Sequence, residues 1–175
     1  MILIEEDFRY LDNITLVREI VSTSQRYIIG MRFETTVMDN KSVAMWEQFN
    51  KELVNLDDVC LSFCRYEIFE VGGSCSTDTF NDKSCCSVFI GIEVPDGFRI
   101  PSGMQLKILY SGRYARFTQM GIVANLSQTY RYIWGTWFPK SNFEIAEYDD
   151  FECYTERFLG IDNENSQIDI YFPII

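Results

Sequence analysis

Hydrophobic residues alternate with polar residues along much of this chain, and helical spacing interrupts the alternation twice. In the first half, residues 17–23 and 27–35 are rich in β-branched and aromatic side chains, which predicts two strands joined as a hairpin. A helix is predicted over residues 41–55, because hydrophobic side chains recur there at intervals of three, three and four residues: Val43, Trp46, Phe49 and Leu53. Residues 1–16 show no clear period and are predicted to form an arm or a short leading strand.

Two further strands are predicted before the midpoint of the chain. Residues 61–70 are strand-like, and residues 71–84 form a predicted loop rich in Gly, Ser, Asp and Asn. Hydrophobic residues then alternate over residues 88–94, which predicts a strand. Residues 96–103 have turn-forming residues at both ends and are the predicted linker.

The second half repeats the order strand, helix, strand. A helical stripe ends at Pro139 and comprises Leu126, Tyr130, Ile133, Trp134 and Trp137. Residues 151–155 then alternate as in a half-buried strand. One face of this strand is predicted to be core and carries Phe151, Cys153 and Thr155. The other face is predicted to be a site and carries Glu152, Tyr154 and Glu156.

Landmarks of the first half recur in the second, as when Tyr66 is followed 88 residues later by Tyr154. This recurrence predicts two copies of a β-β-α-β-β module. The first copy with its arm is assigned to residues 1–100 and the second to residues 101–175, the two folding as one cooperative domain. Antiparallel strands with a helix laid on one face make the predicted fold class α+β.

Four anchors in the second half carry a resemblance to a known family: Gly112-Arg113-Tyr114, Trp137-Phe138-Pro139, Phe151-Glu152-x-Tyr154 and Ile168-Asp169-Ile170-Tyr171-x-Pro173. Through them the chain resembles the gyrase-inhibitor-like effector-binding domain, which is attached to AraC-type and MerR-type regulators and also occurs free-standing. The resemblance covers residues 104–175 well. It covers the first half more loosely, through Ile28-Ile29-Gly30-Met31 and Trp46-x-x-Phe49. A chain of this length and acidity is similar to the drug-binding cassette proteins carried on bacterial integrons.

The resemblance implies two antiparallel sheets, each backed by a helix, with a ligand groove between them. It also implies a bacterial effector domain that serves transcription regulation without carrying the DNA-binding domain, since no segment resembles a helix-turn-helix. A separate regulator or another protein is then the expected protein partner.

Composition narrows the function classes. The 175 residues carry a formal net charge of −11, which repels phosphate backbones and argues against direct nucleic-acid binding. No apolar run approaches the roughly 20 residues of a membrane span, and the N-terminus lacks the pattern of a signal peptide, so we expect a cytoplasmic protein that does not contact membranes. The six cysteines match no zinc spacing, and we expect reduced thiols with no metal and no cofactor. The chain has no histidine, which excludes catalysis by Ser-His-Asp or Cys-His.

Glu152 is the leading candidate for a functional residue, because a carboxylate among aromatic side chains is costly unless it is protonated, paired or supplied with a cation. It also coincides with the characteristic glutamate of the family that the chain resembles. The remaining ligand-binding candidates are the aromatic side chains and a second acid on the same strand: Tyr154, Tyr66, Trp46, Trp134, Trp137 and Glu156. Tyr66 and Tyr154 occupy equivalent points of the two repeats, and both are expected to line the groove. For each tryptophan the alternative is core packing between helix and sheet, and for Glu156 it is an ion pair with Arg157 or contact with water.

Three functions fit these residues. The leading hypothesis is a non-catalytic protein that binds lipophilic, cationic small molecules in an aromatic groove, with Glu152 compensating the charge. The first alternative is a small hydrolase that uses Glu152 as a general base, an activity that some relatives of the resembled family have. The second alternative is an acidic inhibitor of a DNA-processing enzyme.

Overall fold

The computed structural model describes residues 17–36, 41–54, 64–71 and 85–175. Within these residues lie eight strands: β1 (Val17–Thr23), β2 (Arg26–Thr36), β3 (Arg65–Phe69), β4 (Cys85–Val94), β5 (Gln105–Leu109), β6 (Gly112–Met120), β7 (Asp150–Tyr154) and β8 (Gln167–Pro173). The helical elements are α1 (Ser42–Val54), a 3₁₀ turn (Val123–Asn125), α2 (Leu126–Tyr132), a π-helical segment (Ile133–Trp137) and α3 (Phe138–Lys140). The α+β class is therefore confirmed.

All eight strands belong to one antiparallel sheet, in the order β1-β6-β8-β7-β3-β4-β2-β5. The prediction of two separate sheets is wrong, because β3 and β7 pair in the middle of the order and join its two four-stranded halves. The order is symmetric about its centre if β1 is treated as equivalent to β5, β2 to β6, β3 to β7 and β4 to β8. Whether the halves are duplicated modules, with a boundary near residue 100, stays a prediction.

The predicted hairpin of β1 and β2 is also wrong, although both strands exist. β1 pairs with β6, whereas β2 pairs with β4 and β5. The residue types of a segment indicate that it can form a strand, but they do not identify the strand with which it pairs. That partner depends on packing between segments that are distant in the sequence. β5 is placed in the corresponding way, because it pairs with β2 rather than with β6, which follows it in the chain.

Two short connections show that the sheet is strongly curled. β1 lies at one edge and β2 is the seventh strand, yet only residues 24 and 25 separate them. Six strand spacings would span about 29 Å in a flat sheet, whereas three Cα–Cα steps reach at most about 11 Å. The connection from β5 to β6 at residues 110 and 111 imposes the same restraint. The two edges are therefore brought towards each other.

The sheet has an inner face and a helix face. We call the concave side the inner face. Its buried cluster contains Ile28, Tyr66, Ile68, Phe89, Leu109, Tyr114, Phe151, Cys153 and Tyr171, and the partly buried Val21 of β1 packs against it. The opposite side, the helix face, carries α1 over one half and α2 to α3 over the other. Phe49 of α1 packs with Ile90 and Ile92, and Ile133 packs with Ile170 and Phe172.

Most predicted elements are confirmed within the described residues. α1 matches the helix predicted over 41–55, and β7 matches the alternating run at 151–155. Pro139 does not stop the second helix, because it lies in the first turn of α3, where a missing backbone N–H is tolerated. The predicted arm at 1–16, residues 61–63 of the third strand and residues 72–84 of the predicted loop lie outside the described ranges. None of the described helices is long and apolar enough to cross a membrane.

Candidate ligand-binding site

Two buried glutamates face each other at the centre of the helix face. Glu152 of β7 is directly opposite Glu67 of β3 in the antiparallel register, and the two residues are 4% and 5% exposed. Such opposed positions place the Cβ atoms about 5 Å apart. Isoleucines stand on both sides of the pair, since Ile90 is opposite Glu67 and Ile170 is opposite Glu152. The pair is thus enclosed by apolar strands within the sheet.

Each glutamate accepts hydrogen bonds from a helix that covers its half of the sheet. The indole N–H of Trp46 on α1 donates to Oε2 of Glu67 over 2.8 Å, and the Ser42 hydroxyl donates to the same carboxylate. The Tyr130 hydroxyl on α2 donates to Oε1 of Glu152 over 2.6 Å. The hydroxyl of Tyr154, on the same strand as Glu152, donates to Oε2 over 2.5 Å. All of these donors are neutral groups.

Aromatic rings cover the two carboxylates in a crossed arrangement. The ring of Trp46, on the helix of the first half, lies 5.4 Å from that of Tyr154, on a strand of the second half. In the opposite direction, the ring of Tyr130 lies 6.4 Å from that of Phe69 at the end of β3. Trp46, Tyr130 and Phe69 are partly exposed, whereas Tyr154 is buried. These rings separate the carboxylates from solvent, so the site is closed in this structure.

Burial dominates the electrostatics of the site. Desolvation, reinforced by the nearby Glu67, raises the pKa of Glu152 to about 8, and the bonds from Tyr130 and Tyr154 oppose this rise only in part. Desolvation also raises the pKa of Glu67, against the bonds from Trp46 and Ser42. Two full charges at this separation would repel by about 3 kcal/mol at an effective dielectric constant of about 20. The pair therefore retains at least one proton at neutral pH.

No Lys or Arg forms a salt bridge with either glutamate within the described part of the chain. Arg65 lies on the same face two residues before Glu67, but its guanidinium donates to Asn50 of α1 over 2.9 Å. Asp150, two residues before Glu152, adds a further acid, and desolvation raises its pKa to about 7. The described residues of the site are therefore acids, aromatic rings and neutral hydrogen-bond donors.

The structure brings three of the predicted site residues together: Glu152, Tyr154 and Trp46. The expectation that Tyr66 and Tyr154 share one surface is wrong, because Tyr66 is opposite Cys153 and points to the inner face. There its hydroxyl donates to Glu93 over 2.5 Å, and the Arg26 guanidinium lies 5.9 Å from its ring. Although Tyr66 and Tyr154 are 88 residues apart in the sequence, they lie on opposite faces of the sheet. The residue of β3 that is paired with Glu152 is Glu67, so Tyr66 is paired with Cys153.

The remaining predicted site residues are Trp134, Trp137 and Glu156. Trp134 is 45% exposed, and its ring lies 5.4 Å from Phe138. Trp137 packs against Phe117, with ring centroids 5.0 Å apart. Glu156 is exposed beyond the end of β7. Ligand contacts for these three residues stay predictions.

Sequence reasoning overlooks Glu67 and the role of Tyr130. A signal for Glu67 is present, because Tyr66-Glu67-Ile68-Phe69 and Phe151-Glu152-Cys153-Tyr154 share the pattern aromatic, Glu, any residue, aromatic. The helical stripe includes Tyr130 without indicating a polar role, and the hydroxyl reaches Glu152 only through the packing of α2 on the sheet. Among the described side chains, no group of three or more His, Cys, Asp or Glu could hold a metal ion.

The chain is similar in sequence to a bacterial regulator and in fold to two solved structures. The chain is 33% identical over 150 residues to the transcriptional regulator BrlR of Pseudomonas aeruginosa; the match covers 84% of the chain and 51% of the relative, so the chain spans about half of that protein. Among solved structures, SAV2435 bound to tetraphenylphosphonium is 12% identical with a TM-score of 0.66, covering 91% of this chain and 94% of that one. The integron cassette protein VCH_CASS2 of Vibrio cholerae is 17% identical with a TM-score of 0.63, covering 92% and 99%.

At these identities the two solved structures show the same fold and nothing more. The family comparison goes further, because residues 19–174 match the model of the integron-associated effector binding proteins, a span that includes both glutamates and every described strand except the start of β1. This chain therefore belongs to the Cass2 family of integron-associated effector binding proteins.

Proposed function

We propose that this protein binds lipophilic cationic small molecules between α1 and α2, with Glu152 compensating the ligand's charge and no chemical conversion of the ligand. The observation that carries the proposal is Glu152 itself, a buried acid that has neutral hydrogen-bond donors and no cationic partner among the described residues. Burying such a group is costly, and a bound cation offsets that cost. Tetraphenylphosphonium, the ligand of the solved relative SAV2435, is a cation of this class.

The aromatic side chains above Glu152 fit the same kind of ligand. Trp46, Tyr154 and Tyr130 present ring faces and edges, and a flat or phenyl-bearing cation gains apolar burial and cation–π attraction of about 0.5 to 2 kcal/mol from such rings. Since these rings now pack on each other, ligand entry requires them to separate. We therefore assign Trp46, Tyr130 and Tyr154 to the wall of the site and Glu152 to its floor.

We also propose that the chain arose by duplication of one β-β-α-β-β unit. Three observations support this: the strand order reads the same from both edges, the aromatic-Glu-x-aromatic pattern occurs on both central strands, and each helix donates an aromatic N–H or O–H to its own glutamate. The ligand site then lies on the junction of the two copies. We further propose that the protein acts in the bacterial cytoplasm together with a transcriptional regulator that is a separate protein. The similarity to BrlR supports this proposal.

Replacement of Glu152 by Gln tests the function, because Gln keeps the shape and loses the charge. Quenching of tryptophan fluorescence by tetraphenylphosphonium measures binding, because Trp46 lies in the wall of the proposed site. In Glu152→Gln we expect the affinity to fall by about 1.5 to 3 kcal/mol, roughly ten- to hundredfold, whereas the neutral triphenylphosphine oxide should bind equally to both proteins.

Glu164→Gln is the matched control, because Glu164 is exposed and lies in the turn before β8, away from the site. It removes the same charge and should leave the affinity for tetraphenylphosphonium unchanged. Equal affinities of Glu152→Gln and the unsubstituted protein for the cation would rule out charge compensation by Glu152.

A further inference from the structure

The arrangement around Glu152 is doubled on the neighbouring strand. Glu67 is its direct partner in the register and is equally buried, and the described residues that donate hydrogen bonds to it are all neutral, as they are for Glu152. The acids and hydrogen-bonding groups that face the pair come from three elements: Ser42 and Trp46 of α1, Tyr130 of α2, and Asp150 and Tyr154 of β7. Arg65, two residues before Glu67 on the same face, donates a hydrogen bond to Asn50.

One carboxylate suffices to compensate a monocation, so a second one buried beside it calls for an explanation. Apolar side chains would fill this part of the sheet at lower cost, as Ile90 and Ile170 do on the flanking strands. The two glutamates also belong to different halves of the sheet and are covered by different helices. They therefore present two separate acceptors at the floor of one site.

We infer that Glu67 is a specificity-determining residue of this site, and that the opposed pair Glu67 and Glu152 selects dicationic aromatic ligands over monocations of the same shape. This inference rests on the proposed function and names the charge class of the ligand. A dication brings one positive centre to each carboxylate and displaces the protons that the pair retains. A monocation engages Glu152 and leaves the proton on Glu67.

Two flat two-ring compounds test this charge selection: methyl viologen, a dication, and N-methyl-phenylpyridinium, a monocation of nearly the same shape. Calorimetric titration of the unsubstituted protein should show about tenfold or greater preference for the dication. Titrations in two buffers of different ionisation enthalpy should show that the dication releases about one proton more than the monocation does. The proton count needs no variant and is independent of any folding defect.

Glu67→Gln provides the second arm, because a Gln mimics the protonated acid and still accepts the bond from Trp46. In this variant the dication and the monocation should bind with equal affinity, so that the preference for the dication disappears. Near-ultraviolet circular dichroism and the thermal midpoint show whether the variant is folded, and the proton count decides the matter if it is not. Glu164→Gln should retain the full preference.

The outcomes separate this inference from the proposed function. If both cations bind the unsubstituted protein equally and release equal numbers of protons, while Glu152→Gln weakens both, the inference is overturned and the function stands. The inference is also overturned, with the function intact, if Glu67→Gln weakens both cations by the same factor. If neither cation binds the unsubstituted protein, or if Glu152→Gln changes nothing, the proposed function itself fails.

Discussion

At the scale of single residues, the retained proton links the site to the stability of the protein. Folding raises the pKa of Glu152 from 4.5 to about 8. Between these two pH values the glutamate is protonated in the folded protein and ionised in the unfolded chain. Unfolding then releases a proton, so the free energy of unfolding falls as pH rises through this window. The raised pKa of Glu67 acts in the same direction.

We therefore expect the ligand-free protein to lose stability between about pH 5 and pH 8, by about 1 kcal/mol per pH unit for each proton released. Urea titrations at four pH values across the range measure this slope. Glu152→Gln should reduce this slope, because a Gln does not titrate and its neutrality also relieves Glu67, whereas Asp150, whose pKa is raised to about 7, maintains part of it. Glu164→Gln should keep the slope, and an identical slope in Glu152→Gln would show that Glu152 does not hold the proton.

At the scale of elements, two glycines bring β2 and β4 unusually close. Gly30 and Gly91 are directly opposite each other in the register. A Cβ added at Gly30 would lie 2.0 Å from the carbonyl oxygen of Ile90, and one at Gly91 would lie 2.5 Å from that of Ile29. Both obstacles are backbone atoms of paired strands, so neither can move aside without shifting the sheet.

Gly30→Ala and Gly91→Ala should each lower the free energy of unfolding by about 1 to 3 kcal/mol or more. Gly112→Ala is the matched control at the start of β6, because its added Cβ would meet only the Tyr114 ring at 3.4 Å. That variant should stay within about 0.5 kcal/mol of the unsubstituted protein. Chemical denaturation of the three variants measures the differences, and a fully stable Gly30→Ala would mean that the two strands do not approach each other this closely.

The elements also show where sequence reasoning succeeds and where it stops. Local periodicity identifies the strands around Ile28, Ile90 and Glu152 and the helix that carries Trp46. It does so because the spacing of hydrophobic side chains in a strand or a helix depends only on residues close together in the sequence. It cannot identify the partners of β1 and β5, since both pair with strands far along the chain. The face of Tyr66 is mispredicted for the same reason, because only the pairing of Glu67 with Glu152 aligns the two central strands.

At the scale of the whole molecule, neither half of the chain contains a complete half of the sheet. β1 belongs by sequence to the first half but pairs with β6, and β5 belongs to the second half but pairs with β2. Lys107 of β5 adds a further tie, since its ammonium group contacts Glu70 after β3 over 2.8 Å and Asp149 before β7 over 2.7 Å. The two halves are therefore expected to fold as one cooperative unit.

Division of the chain in the linker at residues 97–103 tests this cooperativity. Residues 104–175 expressed alone lack β1, which leaves one edge of β6 unpaired, and β5 has no partner strand. We expect this fragment to be poorly folded and to melt without a sharp transition, and to regain a single cooperative transition when mixed with residues 1–103. An independent sharp melt of the isolated fragment would refute a core shared by the two halves.

The two carboxylates at the floor of the site have unlike surroundings, and this difference gives the site a direction. Glu67 sits beneath an indole and a serine hydroxyl, whereas Glu152 sits beneath two phenols. A ligand with different ends thus meets two inequivalent positions, although the strands beneath it are arranged almost symmetrically. An unsymmetrical molecule would accordingly occupy the site in one orientation, with its bulkier end fixed by the ring set that better accommodates it, while a symmetrical molecule would lose its own symmetry on binding.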